Sequence, residues 1–174
     1  MRSKRCAGFT LVEMLCAVVV LILVSMLMAV GIRLGVESYV TSVSSSEAQV
    51  LCSTLRTAVS DELRYSGSVQ LDGSGVPTGF FSQSFSNQSD SDNMYVSFSQ
   101  NENGRVTLGG KKFLPNKSYP YNLKASVELT GYAEDTHIFK VHIRVTRKNQ
   151  VLSETTFEVQ QLNEPATIDK PDGG

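Results

Sequence analysis

An uncharged segment of 19 residues, residues 14–32, constrains this chain more than any other feature. It has no proline and only one hydroxyl group, that of Ser25, whereas the rest of the 174-residue chain is polar. A helix of this length spans about 28 Å, close to the roughly 30 Å hydrocarbon core of a bilayer. Because backbone polar groups in lipid must pair within the segment, the sequence predicts a membrane-spanning helix.

The basic residues around this segment predict its orientation. Arg2, Lys4 and Arg5 precede it, and only Arg33 follows it within the next twenty residues. The positive-inside rule therefore predicts a cytoplasmic N-terminus, with the chain from about residue 36 onward outside. The apolar run exceeds the roughly 7–15 residues of a secretory signal peptide, and no A-x-A-like cleavage site follows it. A plain signal anchor explains the length and the charges.

A plain anchor does not explain Glu13, which stands at the start of the apolar run. A charged side chain costs about 2.5–3.5 kcal/mol at the middle of a membrane span and less near the interface. The sequence therefore predicts that the Glu13 carboxylate needs a partner.

The residues around Glu13 also carry a family resemblance. Residues 4–13, KRCAGFTLVE, combine basic residues, a glycine, an aromatic residue, a threonine, two aliphatic residues and a glutamate ahead of the span. In this order they closely resemble the N-terminus of type IV pilins and type II secretion pseudopilins. The resemblance implies that prepilin peptidase, a membrane aspartic protease, cleaves between Gly8 and Phe9 on the cytoplasmic side. It also implies that the new amino group of Phe9 is methylated and that Glu13 becomes the fifth mature residue.

Electrostatics gives the Glu13 carboxylate a role at the new terminus. A cationic amine at Phe9 lies at the positive end of the helix dipole, which is unfavourable. A carboxylate within about 4 Å would offset this by roughly 4 kcal/mol at an effective dielectric constant near 20. Glu13 can serve its own chain or a neighbouring subunit, and the resemblance implies the neighbour, with the ion pair setting the axial register. The alternative is a carboxylate that reaches the lipid headgroups without a partner.

A helical pattern continues beyond the membrane segment. No proline occurs before Pro77, and the sequence predicts one helix over residues 9–66 with Gly67 as its C-terminal cap. An apolar stripe, interrupted by a polar patch at residues 44–47, runs along its outer half. The stripe consists of Val36, Val40, Val43, Ala48, Leu51, Leu55, Ala58, Val59 and Leu63. The predicted organisation is a leader (1–8), a membrane and filament-core helix (9–35), an amphipathic half (36–66), a β-sheet domain (67–163) and a flexible tail (164–174).

Alternating apolar residues predict antiparallel strands in the second half of the chain. Residues 67–93 are predicted to form a polar loop, attached to the domain by Phe80, Phe81 and Phe85. Turns are predicted at Asn103-Gly104, within a hairpin, and at residues 148–150. The inward positions are Met94, Val96, Phe98, Val106, Leu108, Leu123, Ala125, Val127, Leu129, Phe139, Val141, Ile143, Val145, Val151, Thr155, Phe157 and Val159. The predicted fold class is α+β, a long N-terminal helix packed on an antiparallel β-sheet, as in pilins.

The cysteines and histidines do not predict a reactive site. Cys16 is interpreted as a membrane-buried apolar residue, and Cys52 as a small core residue or, alternatively, an intersubunit thiol. One continuous helix would hold them about 54 Å apart, too far for a disulfide. His137 and His142 are predicted to be ordinary surface residues.

No motif indicates an enzyme. The chain lacks a P-loop, a G-x-S-x-G elbow and an H-E-x-x-H pair, so neither a catalytic residue nor a cofactor is predicted. Asp90 and Asp92 lack the ligand series of an EF-hand, so a solvated loop is predicted there and no metal site. The net charge of −1 gives no electrostatic footprint for nucleic acid.

The resemblance implies a structural subunit, minor rather than major, of a type IV pilus or a type II secretion-like pseudopilus. The minor assignment rests on a loose similarity of residues 50–67 to the larger minor subunits. Implied partners are other pilin or pseudopilin subunits, prepilin peptidase, a membrane assembly platform with a cytoplasmic ATPase, and the bilayer before assembly. The implied location is the cytoplasmic membrane, with a single span, and then the cell surface. The alternative is a membrane-anchored extracellular binding module with no filament role.

Overall fold

The computed structural model describes residues 10–86 and 94–163. It contains a long helix, α1 (Leu11–Arg64), and two 3₁₀ turns, Asn116–Ser118 and Pro120–Asn122. The strands are β1 (Val69–Leu71), β2 (Pro77–Phe80), β3 (Phe98–Gln100), β4 (Val106–Leu108), β5 (Lys111–Lys112), β6 (Lys124–Ala133), β7 (Ile138–Arg147) and β8 (Gln150–Gln160). The predicted α+β class is confirmed: one long N-terminal helix packs on antiparallel sheets.

Helix α1 covers the predicted helix almost to its ends. The chain divides into two compact units, Met1–Val43 and Ser44–Gly174. In the first unit, every helical residue from 11 to 39 is exposed. In the second unit, α1 buries one face, formed by Ser44, Ala48, Leu51, Cys52, Leu55, Val59 and Leu63. The prediction that Cys52 is a small core residue is therefore confirmed.

Ser44 belongs to the buried face, so the predicted interruption at residues 44–47 is wrong at this position. The residue is 1% exposed, and its hydroxyl oxygen accepts a hydrogen bond from Arg147 Nη1 at 3.0 Å. A hydroxyl group can be buried at little cost when a partner satisfies it. The partner comes from β7, 103 residues further along the chain.

The strands form three antiparallel sheets rather than one. Their orders are β1-β2, β3-β4-β5 and β6-β7-β8. The predicted alternation in the largest sheet is confirmed, since the buried residues of β6 and β7 are Ala125, Val127, Phe139, Val141, Ile143 and Val145. These side chains share one core with the buried face of α1. The hairpin at Asn103-Gly104 is also confirmed, because Gln100 of β3 pairs with Val106 of β4.

A register shift in the last hairpin makes one inward prediction wrong. Val145 pairs with Ser153 and Thr146 pairs with Val151, so Leu152 is an extra residue on β8. The bulge turns Val151 outward, where it is 45% exposed, and Leu152 packs against the core instead. A one-residue insertion reverses the side-chain alternation of a strand, which accounts for the exchange.

The prediction of a continuous loop over residues 67–93 is wrong for its first part, because β1 and β2 form a hairpin there. The turn is stabilised by Asp72, whose Oδ1 accepts hydrogen bonds from the backbone N–H groups of Ser74 and Val76, both at 2.8 Å. Gly75 adopts a φ of +77°, a conformation that glycine tolerates. The phenylalanine prediction is confirmed for Phe80, which is fully buried, and for Phe85, which packs against the core, whereas Phe81 is half-buried.

Several predictions fall on residues that the structure does not describe. They concern the leader, the Gly8–Phe9 bond, the acids Asp90 and Asp92, and the tail at 164–174. All lie outside residues 10–86 and 94–163.

The C-terminus of α1 is satisfied by residues that follow β8. Leu162 N–H donates to Arg64 O at 2.8 Å, and Gln161 Nε2 donates to Ser66 O at 2.8 Å. The predicted cap at Gly67 is wrong, since this residue lacks the positive φ of a C-terminal glycine cap and its N–H donates to Phe81 O instead. Gly67 instead permits a close approach, because a Cβ there would lie 2.9 Å from Phe81 Cδ1.

Candidate functional site

The N-terminal turn of α1 places Glu13 at a defined helix position. The helix begins at Leu11, so Thr10 is the N-cap and Glu13 is the third helical residue. Glu13 N–H lies 3.3 Å from Thr10 Oγ1 and 3.1 Å from Thr10 O, and the threonine oxygens accept its hydrogen bond. A carboxylate in the first turn is also favoured by the helix dipole. The sequence therefore folds locally so that Glu13 lies beside the helix terminus.

Sequence analysis missed the capping role of Thr10. The signal was present, because a threonine followed three residues later by a glutamate is the capping-box pattern. Gly8 and Phe9 lie before the first described residue, so the pairing of Glu13 with the Phe9 amine stays a prediction.

Substitution of Thr10 by alanine is expected to loosen the start of α1. The loss of the side-chain cap costs about 1 kcal/mol. Amide hydrogen exchange of Glu13, measured by NMR on the full chain in detergent micelles, is expected to accelerate about fivefold. Thr10→Ser keeps the capping hydroxyl and should exchange at nearly the original rate. Equal protection of Glu13 in the alanine variant would contradict the capping role.

The helix behind this turn presents an apolar surface. Large side chains such as Leu11, Leu21 and Leu27 are between 67% and 82% exposed. By length and composition α1 is able to cross a membrane, and its most apolar window is entirely unburied. The hydroxyl of Ser25 donates to Leu21 O at 2.7 Å, so the polar group of the apolar run is satisfied within the helix. The assignment of Cys16 to the membrane interior stays a prediction.

The histidines lie far along the chain from Glu13, in the sheet domain. His137 Nδ1 lies 3.0 Å from Tyr132 Oη, and His142 Nδ1 lies 3.0 Å from Thr156 Oγ1. Both residues are half-buried and make side-chain hydrogen bonds, so they are more covered than freely exposed surface histidines. Within residues 10–86 and 94–163, no three His, Cys, Asp or Glu side chains are grouped as metal ligands.

Comparison with protein families finds the same N-terminal feature. Residues 3–30 match the model of the prokaryotic N-terminal methylation motif. Comparisons with curated proteins and with solved structures give no significant match. The motif covers the capping turn and the first part of the exposed apolar helix, an arrangement that indicates membrane anchoring. With this motif and the 54-residue helix that carries it, the chain fits a type IV pilin-like protein.

Proposed function

We propose that the chain is a structural subunit, minor rather than major, of a type IV pilus or a type II secretion-like pseudopilus. Prepilin peptidase cleaves it between Gly8 and Phe9, the Phe9 amine is methylated, and the apolar helix then packs into a filament. The observation that carries the proposal is the methylation motif at residues 3–30 on a helix whose apolar residues from 11 to 39 are all exposed. Such a surface is stable only in lipid or against other apolar surfaces.

In this proposal, Glu13 sets the axial register between neighbouring subunits during assembly. Its carboxylate binds the methylated amine of a neighbouring subunit and offsets the unfavourable placement of that amine at the positive end of a helix dipole. Its position in the first turn of α1 supports the role, because Glu13 lies only four positions along the chain from Phe9, the residue that becomes the terminus.

The proposed topology follows the distribution of basic residues. The N-terminus stays in the cytoplasm, one span crosses the membrane, and the sheet domain lies outside before it moves to the surface filament. The proposed partners are other pilin or pseudopilin subunits, prepilin peptidase, and an assembly platform driven by a cytoplasmic ATPase. The role is structural, with no enzymatic step.

Co-expression with a prepilin peptidase is expected to produce a mature chain that begins at Phe9. Intact-mass spectrometry should detect the loss of residues 1–8 and one added methyl group. The control variant Gly8→Val places a branched side chain where the protease approaches the backbone, and it should remain uncut. A wild-type chain that stays uncut, or is cut elsewhere, would contradict the proposal and favour a membrane-anchored binding module.

A further inference from the structure

A small cavity in the sheet domain is not used by the proposed function. It lies between β1 and the turn that joins β6 to β7, and it has a volume of about 280 Å³. This is near the lower limit for ligand pockets in proteins. Its lining combines two apolar and three polar residues, which are Val69, Leu71, Tyr132, Glu134 and His137.

Hydrogen bonds connect Gln161 to Tyr132, and Tyr132 to His137, two residues that line the cavity. This side chain is 5% exposed, and its Nε2 donates to Ser66 O at 2.8 Å and to Gly67 O. Both of these partners are carbonyl oxygens that can only accept, so the orientation of the amide is determined. Gln161 Oε1 therefore faces Tyr132, whose hydroxyl donates to it at 2.9 Å.

The Tyr132 hydroxyl in turn determines the tautomer of His137. A phenol has one proton, and that proton points to Gln161, so Tyr132 Oη is the acceptor for His137 Nδ1 at 3.0 Å. Burial and then the charge of Glu134 raise the pKa of Tyr132 above its usual value of 10.0, which keeps the phenol protonated. The neutral imidazole thus carries its proton on Nδ1 and a lone pair on Nε2.

The backbone also holds His137 in place. Its φ is +52°, and its carbonyl accepts a hydrogen bond from Gln161 N–H at 2.8 Å. Two of the residues that line the cavity can accept hydrogen bonds, His137 through Nε2 and Glu134 through its carboxylate, and two others, Val69 and Leu71, are apolar. The negative charge of Glu134 makes the site unsuitable for an anion. A catalytic zinc uses three protein ligands, and His137 and Glu134 would supply only two.

We propose that this cavity binds an organic cation, namely a primary ammonium or guanidinium group attached to an apolar stem. The nitrogen donates hydrogen bonds to Glu134 and to His137 Nε2, and the stem packs on Val69 and Leu71. Such a group occurs in free amines and in lysine or arginine side chains of other proteins. The inference is independent of filament assembly and of cleavage at Gly8, so it stands or fails separately from the proposed function.

NMR titration of the full chain in neutral maltoside micelles tests the proposal. The amine n-butylammonium is expected to bind saturably at about millimolar concentration, as a small ligand of one charge would. Shifts should be confined to the amides of β1 and the β6–β7 turn. The matched ligands n-butyrate and n-butanol, which lack the cation, should bind much more weakly. Equal shifts with butyrate, or no saturable shifts with the amine, would overturn the proposal.

Two variants separate the polar contacts. Glu134→Gln keeps the size of the side chain, removes its charge, and is expected to weaken amine binding about tenfold. Glu128→Gln removes an exposed charge on β6, outside the cavity lining, and should have no effect. Unchanged affinity in the Glu134 variant would contradict the proposed contact.

The tautomer gives a measurement that does not depend on a ligand. The ¹⁵N shifts of the His137 ring are expected to show the Nδ1–H form, and Tyr132→Phe should convert it to a mixture. An Nε2–H form in the wild-type chain would overturn the proposal.

N-acetyl-lysine methylamide provides a second ligand. Its binding would assign the site to a side chain of another protein, whereas binding of the free amine alone would assign the site to a small amine.

Discussion

Replacement of Glu13 by alanine is expected to remove the chain from sheared filaments while leaving cleavage between Gly8 and Phe9 largely intact. The proposed ion pair with a neighbouring amine would contribute roughly 4 kcal/mol at an effective dielectric constant near 20, about a thousandfold in an assembly equilibrium. The alanine variant keeps the backbone N–H that Thr10 caps, so α1 still begins at the same place. The measurement is the ratio of the chain in sheared filaments to the chain in membranes, determined by immunoblot.

Two further variants make this result specific. Glu13→Gln keeps the side-chain volume without the charge and should fail as the alanine variant does. Glu37→Ala removes an exposed acid further along α1 and should assemble normally. A normal filament content of the Glu13 variants would exclude the ion pair, and the carboxylate would then be interpreted as one that reaches the headgroups.

Truncation of Phe139 to alanine is expected to lower the free energy of unfolding of the sheet domain by about 3–5 kcal/mol. The side chain is 0% exposed, and its ring centre lies 4.7 Å from that of Tyr132 and 6.3 Å from that of Phe80. The loss is a large part of the roughly 5–15 kcal/mol that stabilises a typical domain. Near-UV circular dichroism during urea titration of the full chain in micelles measures it, since the chain has six tyrosines and no tryptophan.

Val151→Ala is the matched control for this substitution. Val151 lies on the adjacent strand but is turned outward by the bulge, so its truncation should change the unfolding free energy by less than about 0.5 kcal/mol. A large loss at Val151 together with a small loss at Phe139 would contradict the outward position of Val151 and the buried position of Phe139.

The candidate processing and assembly site could be predicted from sequence because its signals are local. The order of residues from Gly8 to Glu13 and the uncharged run after it are contiguous, and the methylation-motif match at residues 3–30 covers the same stretch. The N-cap at Thr10 was also predictable, because a threonine three residues before a glutamate is the capping-box pattern. The cavity at His137 was not predictable, since Val69 and Tyr132 approach each other only when β1 packs near the β6–β7 turn.

The sequence by itself determined the elements whose side chains follow a period. Alternation along β6 and β7 and the stripe on α1 predict which faces are apolar, because each pattern is fixed by the geometry of its own element. Tertiary structure alone decided the burial of Ser44, the outward turn of Val151 and the capping of α1 by Gln161 and Leu162. The burial of Ser44 and the capping of α1 depend on partners about a hundred residues away, and no local pattern encodes which distant group will satisfy a buried polar atom. The turn of Val151 depends on the register that β8 adopts against β7, which alternation along β8 alone does not determine.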